Sequence, residues 1–162
     1  IDDLLRHGMP RPLAMRRADL GRVVEDAARR ACRVRDAEAA LDVAAHPTEL
    51  DCDAEAIGDV VTVLVDNALA ARVDAGGGCA TIAVEDDGPG VPRALEGRIF
   101  EPFVTGRGRD AKVPGTGLGL AIARRIVERH GGTIHHTRPA AGGARFEVVL
   151  PFEAKGFVGA DR

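Results

Sequence analysis

The run Gly115-Thr116-Gly117-Leu118-Gly119-Leu120-Ala121-Ile122-Ala123 sets three glycines at alternate positions directly before an apolar-periodic segment. Glycine accepts positive φ and lets another group approach the backbone closely. Ahead of a helix, such a run exposes free N–H groups and the positive end of the helix dipole to an anion. By itself it reads as a phosphate loop of unspecified type. No Gly-Lys-Ser/Thr follows, so it is not a P-loop. A long irregular segment precedes it where a dinucleotide fold needs a strand.

The chain has 162 residues, enough for one domain, and 45% of them are apolar, enough for a substantial core. With no Trp or Tyr, packing falls to Val, Leu, Ile and Ala. A net charge of −3 gives no general attraction to nucleic acid. Basic residues cluster only locally, at Arg11 to Arg17 and Arg107 to Lys112. Cys32, Cys52 and Cys79 are an odd, widely spaced set without CxxC, which supports neither a disulfide framework nor a zinc site. A reducing cytoplasmic setting is expected, with no signal peptide or long apolar run. Starting at Ile1 without Met, the chain reads as an excised piece of a longer protein.

Ile1 to Arg6 has the pattern of an amphipathic helix end, stopped by Gly8, Pro10 and Pro12. Asp19 is placed to cap a helix through about Arg30, with Leu20, Val23, Val24 and Ala27 on one face. Leu41 to Ala45 is a strand candidate. From Asp53 to Ala71, Ile57, Val60, Val61, Leu64 and Ala68 repeat on one helical face, so the whole segment is expected to be helical despite its β-branched run. Gly76-Gly77-Gly78 reads as a hairpin turn into a strand at Thr81 to Glu85. Asp86 to Pro114 is rich in Gly, Pro and Arg, with room for a short helix near Arg93 to Glu96. A loop of that length suggests a lid. Gly117 to His130 is expected to be a helix with Leu118, Ala121, Ile122 and Ile126 inward, stopped by Gly131-Gly132. Strands follow at Thr133 to Thr137 and Ala144 to Leu150, joined by Ala141-Gly142-Gly143. Tight turns between strands imply antiparallel pairing. The expected fold is therefore a two-layer α/β sandwich, a mixed and mostly antiparallel sheet covered on one face by helices.

Asn67 in mid-helix is unfavourable unless its side chain has a task. Its amide oxygen beside Asp66 suits Mg²⁺, which shares oxygen donors with phosphates and water; the segment alone fits a surface polar residue equally well. Asp86, at a strand end before Gly88 and Gly90, can accept a hydrogen bond from an exocyclic amine such as adenine N6, although a turn-forming Asp-Gly pair explains the same residues. Backbone N–H groups of Gly115, Gly117, Leu118 and Gly119 are candidates to cradle phosphates. Phe100 and Phe103 stand three apart at the base of the lid, a spacing that serves packing or gating.

These motifs, in this order, resemble the ATP-binding catalytic domain of bacterial two-component sensor histidine kinases, within the gyrase, heat-shock-90, histidine-kinase and MutL ATPase superfamily. The resemblance runs from about Asp53 to Pro151. It includes an N box ending Asp66-Asn67-Ala68, a first glycine box over Asp86, Gly88 and Gly90, an F box Phe100-Glu101-Pro102-Phe103 and a second glycine box Gly115 to Leu120. It implies a Bergerat-type fold over residues 13–152, with a lid at about 99–115. Residues 1–12 would then be the end of a dimerisation helix and linker, and 153–162 a tail. It also implies that Asn67 holds Mg²⁺, Asp86 binds adenine, and Gly115, Thr116, Gly117, Leu118 and Gly119 hold the phosphates of ATP. Arg107, Arg109 and Lys112 would face the γ-phosphate from the lid, whose Gly106, Gly108 and Gly115 suggest mobility. The implied partners are the dimerisation and phosphoacceptor domain of the parent kinase and a response regulator, with the fragment itself monomeric.

Two departures stand out. Four residues before Asn67 the family usually carries Asn, His or Glu, and this chain has Val63; three residues after Asn67 a usual Lys or Arg is replaced by Ala70. No histidine has a phosphoacceptor setting. His7 and His46 adjoin Gly8 and Pro47, His130 sits at a helix C-terminus that suits a positive charge, and His135 and His136 alternate on a strand. The chain alone is therefore not expected to autophosphorylate. A degenerate nucleotide-binding module acting by docking, and a serine kinase or ATPase of the same superfamily, remain the alternatives.

Overall fold

The computed structural model describes residues 11–34, 42–65, 70–105 and 116–152. In chain order these form β1 (Arg16–Asp19), α1 (Leu20–Val34), β2 (Asp42–Ala45), β3 (Glu49–Cys52), α2 (Ala54–Val65), β4 (Ala70–Gly76), β5 (Cys79–Asp86), α3 (Gly119–Arg129), β6 (Thr133–Thr137) and β7 (Ala144–Pro151). A five-stranded sheet has the order β2-β4-β5-β7-β6, with β2 parallel to β4 and the other pairs antiparallel. β1 and β3 form a separate antiparallel pair. This is the expected α/β sandwich.

The register explains why one sheet face is covered. Val73, Ile82, Val148 and Ile134 stand opposite one another across four strands and all are buried. The neighbouring row, Arg72, Ala83, Glu147 and His135, points to the other face. Leu20, Val24, Ala27 and Ala28 of α1, Ile57, Val60, Val61 and Leu64 of α2, and Ala123 and Val127 of α3 complete the core. Each large apolar side chain buried there contributes about 1.5–3 kcal/mol.

Asp19 holds the start of α1: its Oδ1 accepts the N–H groups of Gly21 and Thr48, both at 3.0 Å. The helix runs past Arg30 because Ala31 and Cys32 continue its buried face. The expected helix from Asp53 to Ala71 is corrected at its end, since Ala70 and Ala71 belong to β4. Ala71 and Val73 are buried while Arg72 and Asp74 are exposed, a period of two that pairing with β2 and β5 enforces over the helical preference of alanine. In α3 the expected inward face is rotated. Ala123 and Val127 are fully buried, whereas Leu118, Ala121 and Ile122 are only half-buried.

That rotation follows from how α2 and α3 lie side by side in opposite directions. A Cβ placed on Gly119, the first residue of α3, would stand 3.1 Å from Val63 Cγ1 near the end of α2. At the other end, the N–H of Asp53, just before α2, donates to His130 Nε2 at 3.0 Å, just after α3. The Asp53 carboxylate, 2% exposed, accepts the N–H groups of Ala14 (2.9 Å) and Ala56 (3.1 Å) and pairs with Arg11 at 3.1 Å. Burial alone would raise its pKa, but these donors outweigh it and hold the carboxyl below the usual range. Asp53→Ala leaves the buried Ala56 N–H without its acceptor and removes an N-cap, so it should cost about 2–3 kcal/mol in chemical denaturation.

His130 departs from the expected charged helix end. Its Nδ1 donates to Ile126 O at 2.8 Å while Nε2 accepts from Asp53, a pattern only the neutral ring satisfies. Burial pushes its pKa below the ordinary 6.5, as it does for His136. The unfolded chain therefore binds more protons than the folded one between the lowered and ordinary values. This contribution is complete above the ordinary value and is lost as pH falls from there through the folded pKa. A thermal midpoint falling from about pH 7 to about pH 5.5, with a shallower fall in His130→Gln, is the expected result.

Candidate functional site

Asp86 ends β5 opposite Ala144 of β7. Its Oδ1 accepts the N–H of Gly88 at 2.8 Å, which closes a turn and fixes the carboxylate. The second oxygen has no hydrogen-bond partner among the described residues, which leaves one acceptor of a fixed carboxylate at the end of a strand.

The backbone around Asp86 is stacked too tightly for side chains. Gly143 has φ +80°, and a Cβ there would fall 1.8 Å from Asp86 O. Gly90 has φ +71°, and its Cβ would fall 2.5 Å from Gly143 O. The Asp86–Gly90 loop and the β6–β7 connection therefore meet backbone to backbone. Gly143 was not singled out from the sequence; only its place in the Gly142-Gly143 turn hinted at it.

The second glycine run meets the F box in the same way. Gly117, at φ +68°, leaves room for a Cβ only 2.6 Å from Phe103 C, and the Phe103 N–H donates to Gly117 O at 2.9 Å. Phe103 itself has φ +67°, rare for a bulky residue and held here by this contact. Its ring is 72% exposed. Phe100 does the opposite: it is half-buried and packs edge to face on Phe146, with centroids 6.3 Å apart. The two F-box phenylalanines thus have different tasks, one anchoring and one presented to solvent. Between Pro92 and Glu101 the expected short helix is a series of turns closed by bonds such as Leu95 N–H to Pro92 O (2.8 Å) and Arg98 N–H to Leu95 O (2.8 Å).

At the start of α3, Leu118 occupies the N-cap and provides no side-chain cap. Thr116 Oγ1 accepts the Leu118 N–H only distantly, at 3.4 Å. No acidic side chain stands in the first turn. The first N–H groups of the helix are thus available to an anion. Because α2 and α3 run in opposite directions, the end of α2 that leads towards Asn67 lies beside this same helix start. Asn67, Gly115, Arg107, Arg109 and Lys112, with Gly106 and Gly108, lie outside the described residues, as do His7 and the segment Ile1 to Arg6. Among the described residues no group of three or more His, Cys, Asp or Glu side chains can hold a metal ion.

The end of β5 therefore carries a fixed carboxylate acceptor with close backbone approaches at Gly90 and Gly143, and the start of α3 carries an uncapped helix N-terminus beside the backbone contact of Gly117 with Phe103. A flat amine-bearing ring linked to a phosphate chain matches that combination.

Comparison with known proteins follows the same direction. The family described as "Histidine kinase-, DNA gyrase B-, and HSP90-like ATPase" matches residues 52–154. The probable sensor histidine kinase TcrY of Mycobacterium tuberculosis is 35% identical over 170 residues, covering 94% of this chain and 35% of TcrY. The sensor protein KdpD of Escherichia coli is 52% identical over 68 residues, covering 42% of this chain and 8% of KdpD. Among solved structures, the mycobacterial sensor histidine kinase MprB matches with a TM-score of 0.74 at 27% identity, covering 86% of this chain and 99% of that one. The chain spans 35% or less of the length of these two curated relatives.

Proposed function

This chain belongs to the histidine kinase-, DNA gyrase B- and HSP90-like ATPase family, and from that membership we propose that it is the Mg-ATP-binding catalytic domain of a sensor histidine kinase. The observation that carries the proposal is the convergence of Asp86, Gly90 and Gly143 at one point and of Gly117, Phe103 and the open start of α3 at another.

In this reading the free oxygen of Asp86 accepts the exocyclic amine of adenine, and Gly88 and Gly90 let the base approach. The N–H groups of Gly115, Gly117, Leu118 and Gly119, with Thr116, hold the phosphates. Asn67 supplies an amide oxygen to Mg²⁺, which when bound offsets phosphate charge. Arg107, Arg109 and Lys112 face the γ-phosphate. Catalysis is then positioning and electrostatics: the bond from the γ-phosphorus to the bridging oxygen breaks, a phosphorus–nitrogen bond to a histidine forms, and ADP leaves. The acceptor histidine lies on a helical dimerisation domain of the parent protein, and a response-regulator aspartate receives the phosphoryl group next. The parent works in the cytoplasm or faces it; no helix among the described residues is long and apolar enough to cross a membrane.

One observation favours a second reading, binding without transfer. Val63 packs against the start of α3, and Ala70 lies in β4 paired with Glu85, so neither position offers a polar group to the phosphates. Incubating the full-length parent with γ-labelled ATP decides between them. An acid-labile, base-stable phosphoprotein is the expected product. Nucleotide binding with no label on the parent would establish the docking module, and label on serine would establish the serine kinase.

A further inference from the structure

Arg138 follows β6, in the connection that returns to β7, and belongs to none of the motifs above. Its guanidinium reaches two other segments. Nε and Nη2 donate to Glu96 Oε1 at 3.1 and 2.6 Å, and Nη2 also donates to Val91 O. Nη1 lies 3.0 Å from where a Cβ on Gly90 would stand. One side chain thus joins the loop that begins at Asp86, the turns that lead into the F box, and the β6–β7 connection that carries Gly143.

An ion pair this exposed contributes little to global stability. Its local effect is larger, because it acts on a loop whose Gly88 and Gly90 supply conformational freedom. Gly143 confines that loop by backbone contact, and Arg138 holds it by bonding the Val91 carbonyl next to Gly90; both lie within 3.0 Å of where a Cβ on Gly90 would stand.

We propose that Arg138 is a positioning residue for the base of the nucleotide: by tying Val91 to Glu96 it keeps the Asp86–Val91 loop in its binding geometry. This rests on the nucleotide-site reading above. Arg138 acts through the loop and does not touch the ligand. When a binding geometry is only partly populated, apparent affinity falls by the populated fraction, so Arg138→Ala should raise Kd about five- to tenfold. The factor should be the same for AMP and ADP, because the base end is affected and the phosphate end is not. Glu96→Ala should reproduce part of the loss and add nothing to Arg138→Ala, since both break one strap.

The test is titration of the wild-type chain and these variants with AMP and ADP. It is paired with amide exchange of Gly88, whose N–H is held by Asp86, in the nucleotide-free protein. Equal losses for AMP and ADP with faster Gly88 exchange in Arg138→Ala support the assignment. Wild-type binding, unchanged affinity in Arg138→Ala and unchanged Gly88 exchange would overturn it while leaving the nucleotide site standing. A loss confined to ADP would also overturn it, by placing Arg138 against the phosphates. Absence of binding in the folded wild type would overturn the nucleotide-site reading itself, and this assignment with it.

Discussion

Replacing Asp86 with Asn should weaken ADP binding by about a hundredfold or more and leave the fold intact. The reason lies in the Gly88 N–H, which already occupies Oδ1. In the Asn variant the amide oxygen must stay on that N–H to keep the turn, so the other position becomes an NH₂ group. A donor would then face the donor amine of adenine. Losing one charge-assisted bond and leaving two donors opposed is worth about 3 kcal/mol, or a factor of about a hundred. Calorimetric titration measures the loss, and a thermal melt checks the fold. Asn-variant binding within about threefold of wild type would remove Asp86 from the base site.

Gly143→Ala has the largest expected effect on stability. Two independent costs coincide: a φ of +80° that L side chains rarely adopt, and a Cβ 1.8 Å from Asp86 O. A contact that short cannot be relieved by rotating a side chain, because the neighbour is backbone. The ends of β5 and β7 must part, at a cost of about 4 kcal/mol or more. Gly142 provides the control. Its φ is +98°, but nothing lies within 4 Å of its Cβ position, so Gly142→Ala carries backbone strain alone, about 1–2 kcal/mol. Chemical denaturation of the two variants side by side separates strain from collision. A Gly143→Ala protein within about 1 kcal/mol of wild type would refute the stacking of the two loops.

The two helices bearing the site were legible in sequence because each has one strong signal. Ile57, Val60, Val61 and Leu64 repeat at helical spacing inside a β-branched run, and all are buried. Gly117 and Gly119 mark the start of α3 and Gly131 its stop, with positive φ at Gly117 and Gly131. β4 escaped because its buried side is only Ala71 and Val73, too little apolar content to register as a strand without its neighbours. β1 and β3 escaped because each is four residues long and gains its hydrogen bonds from the other. The role proposed for Asp86 rests on a motif legible in the sequence. The backbone collision that makes Gly143 part of the same site was not legible there, because residues 86 and 143 meet only through the pairing of β5 with β7. His130 was misjudged for a related reason: its helix-end position suggested a positive charge, whereas Asp53, distant in sequence, supplies the N–H that requires a bare ring nitrogen.

The proposed function requires that the two glycine boxes form one nucleotide site. The most direct test is calorimetric titration of this chain with ADP and with a non-hydrolysable ATP analogue, each with and without Mg²⁺. Saturable binding with one nucleotide per chain, tightened by Mg²⁺ for the triphosphate analogue, is the predicted result. No heat of binding from a sample that melts cooperatively would contradict it, and the chain would then be a docking module that keeps the fold without the ligand.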